Sequence, residues 1–483
     1  MDDAAPRRAH SGMRLVSGEG VGAVSLGVVA LLGLGGAPAA QAQVPTVTAI
    51  ERVRLVDGTG GAPVPDATLI LREGRIVRMG PGLRAPAGAR VVDLKGRTVI
   101  PGLISDHSHV GLVDGVTVTP EHYNRDNILR QLRQYEAYGV TTVTTLGLNR
   151  SPLFDQLRPE MHAGITPGAD LYGVDQGIGV PEGAPHQAAL PVGPDQIFRP
   201  DTPQAARQAV DTMADRGTDL VKLWLDDFRN GTDKPGYPKM KPEIYRAVIA
   251  EAHARGLRVA AHVYYLDDAK RLVAEGADII AHGVRDQPVD PAFIAAVKAR
   301  GVWYIPTLGL DESGYIFAEH PELLQDRFLS ASLQPALRAQ LADPAWRAKV
   351  LASPAVAAAK RALAINQQNL KTLYDAGANI GFGTDSGATA LRIPGWAEHR
   401  ELKLMVQAGL TPAQALSVAT RSAAALMHLQ DRGVLAAGKR ADFVVLESDP
   451  TADIAAADKI EAVWRGGVQA DGPVRDFAAN ATP

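Results

Sequence analysis

Between Pro101 and Leu426 the chain alternates short β-branched runs with amphipathic stretches, and this rhythm limits the fold more than any other feature. The runs at 140–146, 220–224, 258–263, 279–281, 302–307 and 380–383 have the length and composition of strands. The stretches at 241–255, 269–275, 291–299 and 411–426 carry helical periodicity. Repeated βα units imply a parallel sheet. About eight units of roughly 40 residues fit the interval, so an α/β fold of the (β/α)8 TIM-barrel type is expected. An open doubly wound sheet is the competing architecture, but no Gly-rich phosphate loop follows any of the strands. Residues 311–360 break the rhythm, helical in flavour and interrupted by Pro321, Pro335, Pro344 and Pro354. An insertion at this point reads equally as a lid over the barrel mouth and as a decoration without a catalytic part.

The flanks have a different texture. Strand-like runs at 47–55, 68–72, 75–79 and 90–92 are separated by Asp57-Gly58, Glu73-Gly74 and Lys95-Gly96. Runs at 442–446 and 460–465 precede the turn Gly466-Gly467. Segments 43–100 and 427–483 are therefore expected to build one small β-sandwich around a barrel of residues 101–426.

Composition narrows the function. Of 483 residues, 46% are hydrophobic and 21% charged, an ordinary globular balance. A net charge of -3 and the absence of any Lys/Arg block argue against a nucleic-acid partner. With no cysteine, a metal would be held by nitrogen and oxygen donors alone. Residues 1–42 read as an export signal: Arg7, Arg8 and Arg14 precede the apolar run 21–34, and Ala40-Gln41-Ala42 gives a cleavage pattern. Asp2, Asp3 and Glu19 are atypical of such a segment and point to Met13 as the start. The expectation is a periplasmic or secreted protein without membrane attachment after cleavage; a homo-oligomer is compatible with the sequence.

His107-Ser108-His109 closes an apolar run, and on a strand residues i and i+2 point the same way, so both imidazoles can reach one ion. His262, His282 and Asp385 each end another apolar run. Singly, each reads as a satisfied histidine or a helix-capping aspartate. Together they mark four strand ends, where barrel active sites are built. Lys222 lies within the run 219–224. A lysine there is costly to charge, so it either has a lowered pKa, has a partner, or snorkels from an edge strand.

These residues and their surroundings resemble the amidohydrolase superfamily, in its imidazolonepropionase-like and prolidase-like branch. The resemblance rests on Val99-Ile100-Pro101-Gly102-Leu103-Ile104 before the paired histidines, Gly139-Val140-Thr141-Thr142-Val143, Ala281-His282-Gly283 and Gly383-Thr384-Asp385. It continues through Gly409-Leu410-Thr411-Pro412 to Gly438-Lys439-Arg440-Ala441-Asp442. It implies a deformed (β/α)8 barrel in which His107, His109 and Asp385 bind one metal ion while His262 and His282 bind a second. Lys222 matches the position of a carboxylated lysine that bridges the ions in binuclear members. Single-metal members lack that bridge, so the metal count turns on Lys222. Thr144-Thr145 departs from the acidic residue often found there. Two Zn²⁺ ions suit these donors best, and Mn²⁺, Co²⁺ or Fe²⁺ accept the same set.

The implied chemistry is hydrolysis of a C–N bond by metal-activated hydroxide, with Asp385 as proton carrier. The expected substrates are N-acyl amino acids or dipeptides, which an exported enzyme meets. The alternatives are a cyclic amidase of imidazolonepropionase or hydantoinase type, a lactone or organophosphate hydrolase, and a metal-binding barrel without catalysis. Trp224, Tyr264, Tyr265, Arg285 and Tyr304 follow the same strands and are the candidate substrate contacts. Arg285 either pairs with a substrate carboxylate or forms a salt bridge with Asp286 or Asp290. The Gly- and Pro-rich loop 173–191, with His186, is expected at the entrance, whereas His253 and His399 fall on helical segments as structural or solvated residues.

Overall fold

The structure, a computed structural model, describes residues 47–470. The expected export signal lies outside the described residues. The described residues all belong to one compact unit.

The apolar run before the paired histidines is divided between two sheets. Thr98–Pro101 joins the flank sheet, whereas Leu103–Ser108 begins the barrel. Gly102 makes the transition, since a Cβ there would lie 2.2 Å from Thr141 Oγ1. Labelling barrel strands in chain order gives β1 (Leu103–Ser108), β2 (Val140–Leu146), β3 (Asp170–Val174), β4 (Val221–Trp224), β5 (Val259–His262), β6 (Ile279–Ala281), β7 (Trp303–Ile305) and β8 (Asn379–Ile380). All hydrogen-bonded neighbours among them are parallel, in two arcs, β1-β2-β3 and β4-β5-β6-β7-β8. Isolated bridges span the two seams, Ile178 to Leu223 and Ser108 to Ser386. At the second seam the Asp106 N–H donates to the Phe382 carbonyl at 2.6 Å and the Thr384 N–H to the His107 carbonyl at 3.0 Å. This is a TIM-type barrel, deformed where the ladders stop. Eight apolar strands bury their Val, Ile and Leu side chains between this ring and the surrounding helices.

The helices start and stop where local chemistry directs. Asn124, Thr202 and Asp290 each cap the following helix through a side-chain oxygen, and Gly276 and Gly301 end theirs at φ 105° and 67°. The stretch expected as one helix over 411–426 is Pro412–Ser417, a five-residue π turn at Val418–Ser422, and Ala423–Leu426. The insertion after β7 consists of short helices, Pro335–Ala342 and Pro344–Leu351 each begun by proline. It is tied down: Arg400 donates twice to Glu312 at 2.6 Å, and the Gly115 N–H donates to Gln334 Oε1 at 2.6 Å. No helix among the described residues is long and apolar enough to cross a membrane.

The flank strands do come from both chain ends. Phe443–Leu446 pairs with Thr98–Pro101, and the order continues to Val47–Leu55, Val64–Arg72 and Arg75–Pro81. Among the described residues they form one continuous hydrogen-bonded sheet of eight strands. Its own apolar cluster includes Ile50, Leu69 and Val99, with Phe443 stacked on Trp464.

Candidate active site

The parallel ring places every strand-end polar residue on one rim. His107 lies on β1 with His109 just beyond it, Lys222 lies on β4, His262 ends β5, His282 follows β6 and Asp385 follows β8. All are buried. Asp385 Oδ1 lies 3.3 Å from His107 Nε2 and 3.0 Å from His109 Nε2. The His282 ring centroid is 4.3 Å from those of both His107 and His262. Ligand atoms of His107, His282 and Asp385 all fall within 4.8 Å of one another, a spacing that can hold a metal ion.

Hydrogen bonds fix which nitrogens face this centre. The His109 Nδ1–H donates to the Gly147 carbonyl at 3.2 Å, leaving Nε2 as the lone-pair donor. His282 Nδ1 lies 3.0 Å from Thr307 Oγ1, and the His262 Nε2–H donates to Asp226 Oδ2 at 2.8 Å, so His262 offers Nδ1. Burial first, and neighbouring cationic groups second, hold the imidazoles of His107 and His282 well below the usual range. Burial also lowers His262, against the opposing pull of Asp226. Neutral imidazole is the form that ligates metals.

Lys222 Nζ is fully buried and has no hydrogen-bond partner among the described residues. Burial pushes its pKa down to about 7, with Asp385 pulling weakly the other way. The Lys222 Nζ lies over the Trp224 ring, 5.6 Å from its centroid. Burial would raise the Asp385 carboxyl, but Arg392, in contact with Oδ2, and the two histidines outweigh it and hold the carboxyl well below its usual range. His282, Thr307 and Asp385 adopt left-handed φ of 92°, 46° and 59°, conformations that non-glycine residues occupy at a cost and that cluster at functional sites.

Two supporting carboxylates were not singled out from sequence. Glu398 accepts from Ser105 Oγ at 3.2 Å, Thr384 Oγ1 at 2.6 Å and Ser386 Oγ at 2.7 Å, clamping β1 to the segment after β8. Asp226 orients His262 while its Oδ1 accepts from the backbone of Asp227 at 2.7 Å and Phe228 at 3.2 Å. The signal for Asp226 was present, since it follows the Lys222 strand as the other polar residues follow theirs.

A cavity of about 210 Å³ opens above the histidines and Asp385, walled by Trp224, Phe228, Leu148, Arg285 and Arg392. Pro185, Ala189 and Leu190 of the loop 173–191 line it, while His186 of the same loop stacks on Tyr237 instead, ring centroids 4.1 Å apart. Of the candidate substrate contacts, Trp224 and Arg285 line the cavity and Tyr264, Tyr265 and Tyr304 do not. Tyr304 lies wholly in the core, its hydroxyl accepting from the Val284 N–H at 2.8 Å. Tyr264 lies beneath the Arg285 guanidinium, 5.0 Å from ring centroid to Cζ, and the Tyr265 hydroxyl donates to Asp227 at 2.9 Å. Neither expected salt bridge of Arg285 forms. Asp286 accepts from the Leu266 N–H at 2.9 Å, and Asp290 caps a helix and contacts Lys270. Among the described residues the acid paired with Arg285 is Asp311, 3.9 Å away. His399 Nε2 bonds the Tyr138 carbonyl at 2.8 Å and His253 pairs with Asp278 at 3.0 Å, both away from the site.

Known proteins resemble this chain in sequence and in fold. Residues 98–470 match the model of the amidohydrolase family. The chain is 25% identical over 419 residues to an imidazolonepropionase of Deinococcus deserti, spanning 84% of this chain and 92% of the relative. Its fold matches a Xaa-Pro dipeptidase with methionine bound in the active site at a TM-score of 0.68 and 21% identity, covering 88% of this chain and 100% of the other. Phenylurea hydrolase B matches at a TM-score of 0.69 and 24% identity, covering 90% and 98%.

Proposed function

We propose, because this chain belongs to the amidohydrolase family, that it is a metal-dependent hydrolase of C–N bonds acting on linear amides, namely N-acyl amino acids or dipeptides. The observation that carries this reading is the convergence of His107, His109, His262, His282 and Asp385 on one cavity, with Lys222 buried on the neighbouring strand Val221–Trp224. His107, His109 and Asp385 would hold one divalent ion, and His262 and His282 a second, with Zn²⁺ the best match to these donors. Such ions polarise the amide carbonyl and make water acidic enough to attack near neutral pH.

The protein's own groups supply the rest. Lys222, its pKa lowered by burial, would react as the free amine with carbon dioxide, releasing a proton, and the resulting carbamate would be an anionic donor to the metal in place of a costly buried cation. Asp385, kept ionised by Arg392 and placed between two imidazoles, accepts the proton of the attacking water and passes it to the departing nitrogen. Asp226, Thr307 and the Gly147 carbonyl fix the imidazoles so that no lone pair must reorient during turnover. Trp224, Phe228 and Leu190 exclude bulk water from the reacting bond. The 1–42 segment supports export, which would expose the enzyme to peptides and foreign amides.

A cyclic amidase is the second reading, favoured by the likeness to the Deinococcus imidazolonepropionase over most of both chains. Purified, metal-loaded protein assayed against dipeptides, N-acyl amino acids, cyclic amides and lactones decides between them. Linear amides are expected to turn over, and Asp385→Asn to reduce kcat by roughly 10³-fold. Turnover of cyclic amides alone would establish the second reading, and inertness toward the whole panel would remove both.

A further inference from the structure

The cavity is polarised. In an eight-strand ring the loops after β2, β3 and β4 face those after β6, β7 and β8. Leu148, Leu190, Trp224 and Phe228 line the cavity from the first side; its two arginines, Arg285 and Arg392, both come from the second, beside Leu310 and Ala388. The two arginines differ. Arg392 spends its Nη1 on Asp385 and has one buried nitrogen, Nε, without a partner, whereas Arg285 is buried with both Nε and Nη1 lacking a hydrogen-bond partner among the described residues. Its Nη2 reaches only the Val263 carbonyl at 3.4 Å, and Asp311 stands off at 3.9 Å. The Arg285 Cζ lies over the Tyr264 ring, 5.0 Å from its centroid, a cation–π contact. Buried guanidinium donors without partners are costly and rare in native proteins, and here they border a cavity.

From this arrangement we infer that Arg285 is the anchor for a free carboxylate on the substrate, and that the apolar wall opposite takes an alkyl or aromatic group across the scissile amide. The inference rests on the amide-hydrolase reading and narrows it to N-acyl amino acids with an apolar acyl group or side chain and an uncapped carboxyl. The guanidinium offers a carboxylate two N–H donors in one plane, a geometry that a carboxamide matches with one oxygen only. Burial raises the Asp311 carboxyl above its usual range, against the opposing pull of Arg285 and Arg392.

The test uses full-length, metal-loaded enzyme with two matched substrates, N-acetyl-phenylalanine and N-acetyl-phenylalaninamide. Wild type is expected to favour the free acid by at least about 100-fold in kcat/KM, and Arg285→Met to bring the ratio to within about threefold. Arg285→Lys, which keeps the charge but loses the fork, is expected to fall between, and it serves if the methionine variant does not fold. Equal wild-type rates on acid and amide, or an unchanged ratio in the variants, would overturn the anchor while leaving amide hydrolysis intact. No hydrolysis of either compound, together with equal binding of hydrocinnamate to wild type and Arg285→Lys by calorimetry, would overturn the anchor and the amidase reading at once. Inertness with hydrocinnamate binding weakened at least tenfold in Arg285→Lys would keep the anchor and reject the amidase.

Discussion

Lys222 concentrates the chemistry of this site in one side chain. In the metal-free protein its amine loses its proton near pH 7, whereas an exposed lysine does so near 10.4. Between those values the unfolded chain binds the extra proton, so stability rises with pH across that window, and the full penalty is present below about 7. Lys222→Met abolishes the penalty. The metal-free variant is expected to be more stable at pH 7 by on the order of 4 kcal/mol, with a flatter dependence of melting midpoint between pH 7 and 10 than wild type. Parallel curves for the two chelated proteins would show that the amine is charged or partnered in the fold. At this scale the sequence revealed the site through one rule, polar residues at the ends of apolar strands, which located His107, His109, His262, His282 and Asp385. Glu398 escaped it because it lies on the helix Trp396–Gln407 and reaches back to β1, a tertiary contact with no local signature. Tyr304 misled it in the opposite sense: a tyrosine at a strand end has a polar tip, but that tip is spent on the backbone of Val284.

Strands differ in how far their sequences disclose them. β2 and β6 coincide with the apolar runs that suggested them, because β-branched residues bounded by turn residues leave no other reading. β3 was not anticipated, since Asp170-Leu171-Tyr172-Gly173-Val174 holds a buried aspartate paired with Arg432 at 2.7 Å and a glycine. β8 is shorter than its run, and just beyond it Gly383 packs its backbone directly against β1. A Cβ at Gly383 would stand 2.5 Å from His107 Cβ and 2.7 Å from His107 N. Gly383→Ala must therefore push β1 and the Asp385 segment apart, moving two proposed ligands of the same ion. The expected result is a loss of about 1–3 kcal/mol of stability and at least tenfold weaker metal retention, read by melting and by elemental analysis after dialysis. Full metal content in a stably folded variant would mean that this close approach does not set the site. The insertion after β7 has a divided character for a related reason. Leu310 reaches the cavity, but the Glu312–Arg400 pair and the Gln334 contact bind the rest to the barrel wall, which makes it a fixed rim.

For the molecule as a whole, the fold tolerates an active centre that opposes folding. Left-handed backbone at His282, Thr307 and Asp385, and, among the described residues, a buried amine without a hydrogen-bond partner and a buried guanidinium short of acceptors all weaken the metal-free protein. The extensive barrel core and a second apolar cluster, where strands from both chain ends share one sheet, supply the stability that offsets them. That sharing was legible from the matching texture of the flanks; the strand order was not, since pairing partners distant in sequence leave no periodic trace. Metal binding to the folded state alone should then stabilise by RT ln(1 + [L]/Kd), about 2.7 kcal/mol for each site at a hundredfold excess over its Kd. Chelation is accordingly expected to abolish amide hydrolysis and lower the melting midpoint together, and titration with Zn²⁺ to restore both in parallel up to two ions per chain. Activity and midpoint that both saturate at one ion would deprive Lys222 of its bridging role, because a lysine carbamate between two sites has no function when only one is filled.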